Sequence, residues 1–149
     1  MKTWSHDTEI NAPIERIWTL FTGSVEDMQK VLPGLMENEP ITEIKKGKGS
    51  VHRQKYQGNK GVQEYDVETL AYVDNPEYKQ VKETFSLANT FEITTEYELK
   101  QIDDHTTYFS YTTTNKPLSW MLKLLMIFVS NKVVVQFVDR VKRVAESEG

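Results

Sequence analysis

Pro117-Leu-Ser-Trp-Met-Leu-Lys-Leu-Leu-Met-Ile-Phe-Val-Ser-Asn-Lys-Val-Val-Val-Gln-Phe-Val-Asp-Arg-Val-Lys-Arg-Val-Ala-Glu-Ser-Glu148 is the stretch that decides the fold. No Gly or Pro interrupts it after Pro117, whose missing N–H suits a first helical turn. In its second half Val133, Val134, Phe137, Val138, Val141, Val144 and Ala145 recur at helical spacing. Lys132, Gln136, Asp139, Arg140, Lys142, Arg143 and Glu146 occupy the opposite face. The spacing predicts one long helix, and at about 1.5 Å per residue it would run roughly 45 Å, enough to cross a whole sheet. Its first half differs. Between Trp120 and Val129 only Lys123 is polar. The run is too short to span a bilayer, which needs about 20 apolar residues. It reads as a helix end buried on several sides, as the wall of an apolar cavity, or as a surface for a second copy, a partner or a membrane.

Upstream, the period changes. Thr3 to Asn11 alternates as a strand, with Trp4, His6, Thr8 and Ile10 on one face. Pro13 then opens a helix whose Ile14, Ile17, Trp18 and Phe21 share a face, and Gly23 ends it. Ser24 and Asp27 have capping-box spacing for a second short helix, stopped by Leu32-Pro33-Gly34. Six alternating segments follow: Glu37–Lys45, Ser50–Gln57, Val62–Val73, Tyr78–Ala88, Phe91–Leu99 and Thr106–Thr114, separated by turn residues. Hairpin-length connections predict an antiparallel sheet of six or seven strands. One face alternates to polar residues, so the other must be covered, and the terminal helix is the element large enough to do it. The fold class is α+β: a curved antiparallel sheet wrapped around a C-terminal helix, with two short helices after the first strand.

Composition excludes several functions. The sequence has 149 residues, the length of one domain spanning 1–149, and can bury a core without metal or disulfide. It has no cysteine, which rules out thiolate metal sites and cysteine nucleophiles. The formal net charge is −4 and no basic stripe points to nucleic acid. The N-terminal residues lack an apolar signal core, so the cytoplasm is the expected location. No cofactor motif, phosphate loop or nucleophile elbow is present, and His6, His52 and His105 lack metal-ligand spacing.

Glu9-Ile-Asn-Ala-Pro-Ile-Glu-Arg-Ile-Trp-Thr-Leu-Phe-Thr22 resembles the opening of the START-like superfamily, which includes polyketide cyclase/dehydrase-type, lipid-transfer and birch-pollen-allergen-type proteins. Gly49-Ser50 at a strand start, and a final helix ending Phe137-Val-Asp-Arg-Val-Lys-Arg-Val-Ala-Glu146, fit the same pattern along essentially the whole chain. The resemblance implies the helix-grip fold and an elongated apolar cavity between sheet and helix. It transfers no catalytic motif.

Within that frame, Glu83 shares a strand face with Val81, Phe85 and Leu87. A carboxylate on a buried face is costly unless partnered, and burial raises its pKa into the range useful for acid–base work. A one-residue bulge would instead send Glu83 to water and Lys82 inward. His52, beside Gln54 and Tyr56, is a second candidate acid/base. Tyr56, Tyr65, Phe85, Tyr97, Trp120, Leu124 and Phe128 are the expected cavity wall, with Glu83 and His52 as its polar points. The expected ligand is a small hydrophobic molecule: a lipid, quinone, polyketide or aromatic metabolite. Hiding about 300 Å² of its apolar surface would contribute on the order of 7 kcal/mol before ordering costs. A cyclase, dehydratase or hydrolase using Glu83 or His52 is the alternative, and a docking module at Trp120 to Val129 is the third.

Overall fold

The computed structural model describes residues 2–42, 48–58, 61–87, 91–118 and 131–147. Strand β1 (Lys2–Ile10) leads into helices α1 (Ile14–Thr22) and α2 (Val25–Gln29). Strands β2 (Leu35–Thr42), β3 (Val51–Gly58), β4 (Gly61–Asp74), β5 (Tyr78–Leu87), β6 (Phe91–Asp103) and β7 (Thr106–Pro117) follow, and helix α3 (Asn131–Ser147) comes last. The seven strands form one antiparallel sheet in the order β1-β7-β6-β5-β4-β3-β2. From β2 to β7 each strand pairs with the next in sequence, as short connections require. Only β1 is placed against a distant strand, with Thr3 facing Thr114.

Local chemistry sets the helix boundaries. Pro13 itself is the α1 N-cap, and the Gly23 N–H closes the helix on Thr19 O. At α2, Ser24 Oγ accepts from the Asp27 N–H at 3.1 Å, and the Asp27 carboxylate accepts from the Ser24 N–H at 3.3 Å, a reciprocal capping box.

The core lies between the inner face of the sheet and the three helices of the described residues. Ile10, Ile17, Leu20, Leu99, Phe109, Val138, Val141 and Ala145 are each at most 1% exposed. The short helices therefore cover more of the sheet than sequence patterning assigned them. Helix α3 is tied down by polar contacts: Lys142 Nζ donates to Glu9 O at 2.6 Å, the Asn11 N–H donates to Glu146 at 2.8 Å, and Arg140 donates to Val31 O at 3.3 Å.

Several sequence expectations are corrected. Pro117 is the last residue of β7, paired with Phe91, and not the first turn of a helix; a strand end tolerates a residue with no N–H. Strand β7 thus runs three residues past the expected Thr114. Strand β2 begins at Leu35, which is buried, two residues before the expected Glu37. Val133 is 48% exposed, because the buried stripe of α3 is Val134, Val138, Val141 and Ala145. In β4 the register shifts between Thr69 and Ala71. That irregularity reverses the phase, so Tyr72, not Ala71 with Val73, joins the core against Trp18.

Candidate functional site

The inner face of the sheet is built in rows. The register aligns Thr69, Glu83, Thr95, Thr113 and Trp4 across five strands. The next row aligns Tyr72, Val81, Tyr97, Tyr111 and His6. On the other side lie Phe85, Ile93, Asn115 and Lys2. Alternation along β5 sends Val81, Glu83 and Phe85 to this face with no bulge in the β5–β6 register, and Lys82 goes outward.

Glu83 is half-buried rather than sealed, yet burial alone pushes its carboxyl from 4.5 up to about 7. Those two facts describe a side chain largely enclosed by protein on the inner face of the sheet, with part of its surface left open. No hydrogen bond or ion pair reaches it among the described residues. Its neighbours are phenols. Burial first, then the charges of Tyr56 and Glu83, pushes Tyr65 to about 12. Burial pushes Tyr111 to about 12 as well, against the opposing Thr113 hydroxyl. Tyr97 is raised well above the usual phenol value by burial, with Tyr111 and Glu83 adding to it. All three tyrosines are therefore neutral hydrogen-bonding groups at physiological pH.

Two aromatic groups flank the carboxyl. Tyr65 stacks on Phe85 with ring centroids 4.7 Å apart. On the other side Phe21 stacks on Tyr97 at 4.4 Å, Tyr97 meets Tyr111 at 5.2 Å, and Tyr111 meets Phe137 of α3 at 4.7 Å. Tyr56 is the outlying member. It pairs with Leu35 and lies over Gly34, where an added Cβ would come within 2.8 Å of its ring. Trp120, Leu124 and Phe128, and with them the segment Trp120 to Val129, lie outside the described residues.

His52 sits on β3 opposite Val67, two strands from Glu83. Its Nδ1 is buried without a hydrogen-bond partner among the described residues. Asn115 shares that property: it is 1% exposed and its Oδ1 has no partner among the described residues. Sequence reading missed Asn115 because the last strand was ended at Thr114; the alternation Thr107, Phe109, Tyr111, Thr113 points straight to it.

Lys79 was also missed. It is 1% exposed, with its ammonium bound to Asp74 and, at 2.8 Å, to Glu15 of α1, 5.6 Å above the Trp18 ring. Desolvation lowers its pKa, but the two carboxylates together outweigh it and the net shift is upward. It is a cross-link between β5 and α1, with all of its charge used internally.

A groove of about 490 Å³ is bordered by Val51, Asp66, Glu68, Thr84, Ser86 and Glu92, and also by Phe85. Most of its lining alternates to the outer face, and Glu83 is not part of it. Among the described residues no group of three metal-ligating side chains occurs, and no helix is long and apolar enough to cross a membrane.

A seven-stranded antiparallel sheet with a C-terminal helix packed against it is the helix-grip fold, and this chain has it. Solved structures with the same fold include norcoclaurine synthase from Thalictrum flavum, in complex with dopamine and hydroxybenzaldehyde: TM-score 0.65 and 16% identity over 99% of this chain and 88% of that one. A hypothetical protein from Helicobacter pylori superposes with TM-score 0.72 at 8% identity, over 97% of this chain and 88% of that one. The di-domain ARO/CYC protein BexL, from the BE-7585A biosynthetic pathway, gives 0.69 at 11% identity; 98% of this chain matches 47% of that one. No protein-family model matches the sequence, and no curated protein does either.

Proposed function

We propose that the protein binds a small hydrophobic molecule, of lipid, quinone, polyketide or aromatic type, against the inner face of the sheet. The observation that carries this reading is Glu83: a carboxyl on the inner face, partly open, unpartnered among the described residues, and set between the Tyr65–Phe85 and Tyr97–Tyr111 ring pairs. Proteins do not leave such a group without a use lightly, since a buried polar group with no partner costs about 1–3 kcal/mol. The aromatic surround supplies apolar area, and the tyrosine hydroxyls supply orientation. The Thalictrum flavum synthase holds two aromatic molecules in the same fold, which supports the size and class of ligand. Native mass spectrometry of freshly purified protein tests the proposal. A co-purified small molecule, released on denaturation, is the expected result; a bare mass that also takes up no aromatic or lipid probe would end it.

A second reading makes Glu83 a general acid/base in a cyclase, dehydratase or hydrolase reaction. The value of about 7 favours it, because proton transfer is most efficient when the group's pKa lies near the working pH. It requires turnover of the bound molecule, with a loss of about 10²-fold or more in Glu83→Gln. Unchanged turnover in that variant would remove Glu83 from the chemistry.

A further inference from the structure

We propose that the ligand is an organic cation, a hydrophobic molecule carrying a protonated amine, with its ammonium seated between the Glu83 carboxyl and the rings of Tyr65, Phe85 and Tyr97. This rests on the binding role proposed above and narrows its chemistry. A desolvated carboxyl is stabilised by an opposite charge brought close, and aromatic faces attract the same charge. Among the described residues no ion pair reaches the Glu83 carboxyl: of the basic groups on this face, His52 lies two strands away and His6 and Lys2 three.

The titratable and charged groups around Glu83 can be taken element by element. Strand β3 presents His52 and Tyr56, β4 presents Tyr65, β6 presents Tyr97, β7 presents Tyr111, and β1, three strands away, presents His6 and Lys2. On β5 itself Lys82 alternates to the outer face. Lys79 is on the inner face, but four residues away, about 13 Å along the strand, and its ammonium is taken by Asp74 and Glu15. The phenols are held neutral by burial and could in any case ionise only to anions, so none of them is a counter-charge for a carboxylate. A fatty acid or other organic anion would bring a second negative charge beside Glu83, which is unfavourable in a desolvated site. A neutral ligand would leave the carboxyl protonated and the ring faces without their electrostatic use. An amine satisfies both.

The test uses three probes that share one apolar body and differ in one group: naphthylethylamine, naphthylethanol and naphthylacetate, titrated into the full chain by calorimetry. The amine should bind about tenfold or more tightly than the alcohol, and the acetate weakest. Between pH 6 and pH 8 the ionised fraction of a carboxyl that titrates near 7 rises about tenfold, so amine affinity should rise by up to about that factor while alcohol affinity stays flat. Glu83→Gln should bring the amine down to the affinity of the alcohol and abolish its pH dependence. Binding of the alcohol as tight as or tighter than the amine would overturn the cation assignment and leave the hydrophobic site standing. The acetate binding tightest would overturn it too. If none of the three binds, the site proposed on the inner face falls with it.

Discussion

Glu83 makes a stability prediction independent of any ligand. Its pKa is about 7 in the fold against an ordinary 4.5, so the folded chain holds this proton more tightly than the unfolded one. The contribution is therefore complete below about pH 4.5, declines as pH climbs, and is gone above about 7, a change on the order of 3 kcal/mol. Glu83→Gln removes this dependence. In urea unfolding, the stability of the variant relative to the parent should rise by about that amount between pH 4.5 and pH 8; a constant difference would mean that the carboxyl is not desolvated. Asn115 predicts a gain of another kind. Its unpartnered Oδ1 is buried, and Asn115→Leu replaces it with a side chain of similar shape, so the variant should be more stable by about 1 kcal/mol or more. Lys79 runs the other way. Lys79→Met keeps the covered stem and should cost less than Lys79→Ala, which opens a cavity and should lose about 2 kcal/mol or more in the same assay.

At the scale of elements, α3 can be tested by its two kinds of valine. Val138→Ala, on the fully buried stripe, should lower stability by about 2 kcal/mol, whereas Val133→Ala, 48% exposed, should stay within about 0.5 kcal/mol. Equal effects would contradict the helix rotation seen here. Removing the α2 cap with Ser24→Ala should cost about 1 kcal/mol. These elements also show what the amino-acid order disclosed. The opening strand and helices, the period-two segments and the inward side of Glu83 were legible, because each follows from local spacing over several residues. The phase of Tyr72 was not: a single extra residue between Thr69 and Ala71 reverses alternation without any Gly or Pro to mark it. Pro117 suits both a helix start and a strand end, and only its pairing with Phe91 decides. Lys79 reads as a surface lysine until Glu15, from a different element, is brought to it by tertiary contact. His52 and Glu83 were separate candidates in the sequence; the register sets them on one face but two strands apart.

For the whole molecule, occupancy of the inner face should raise stability by mass action. Ligand at 100 times its dissociation constant adds about 2.7 kcal/mol. For a chain of this length that corresponds to a rise in melting temperature of about 5–10 °C, readable by comparing protein as purified with protein stripped of small molecules. No shift on re-adding the stripped fraction would argue that nothing specific had been bound. The sheet order carries a different consequence. Strands β2 to β7 each find their neighbour within one hairpin, but Thr3 must wait for Thr114, 111 residues later. During synthesis at about 5–20 residues per second, the first strand is exposed to the cell for roughly 5–20 s before its only partner strand has been made. The apolar side of α1 waits with it, since Leu99 and Phe109, which it packs against, are also late. The first strand is thus secured only after the other six have been made, and it is in those seconds of synthesis, rather than in the finished protein, that its unpaired edge is open to chaperone capture or misassociation.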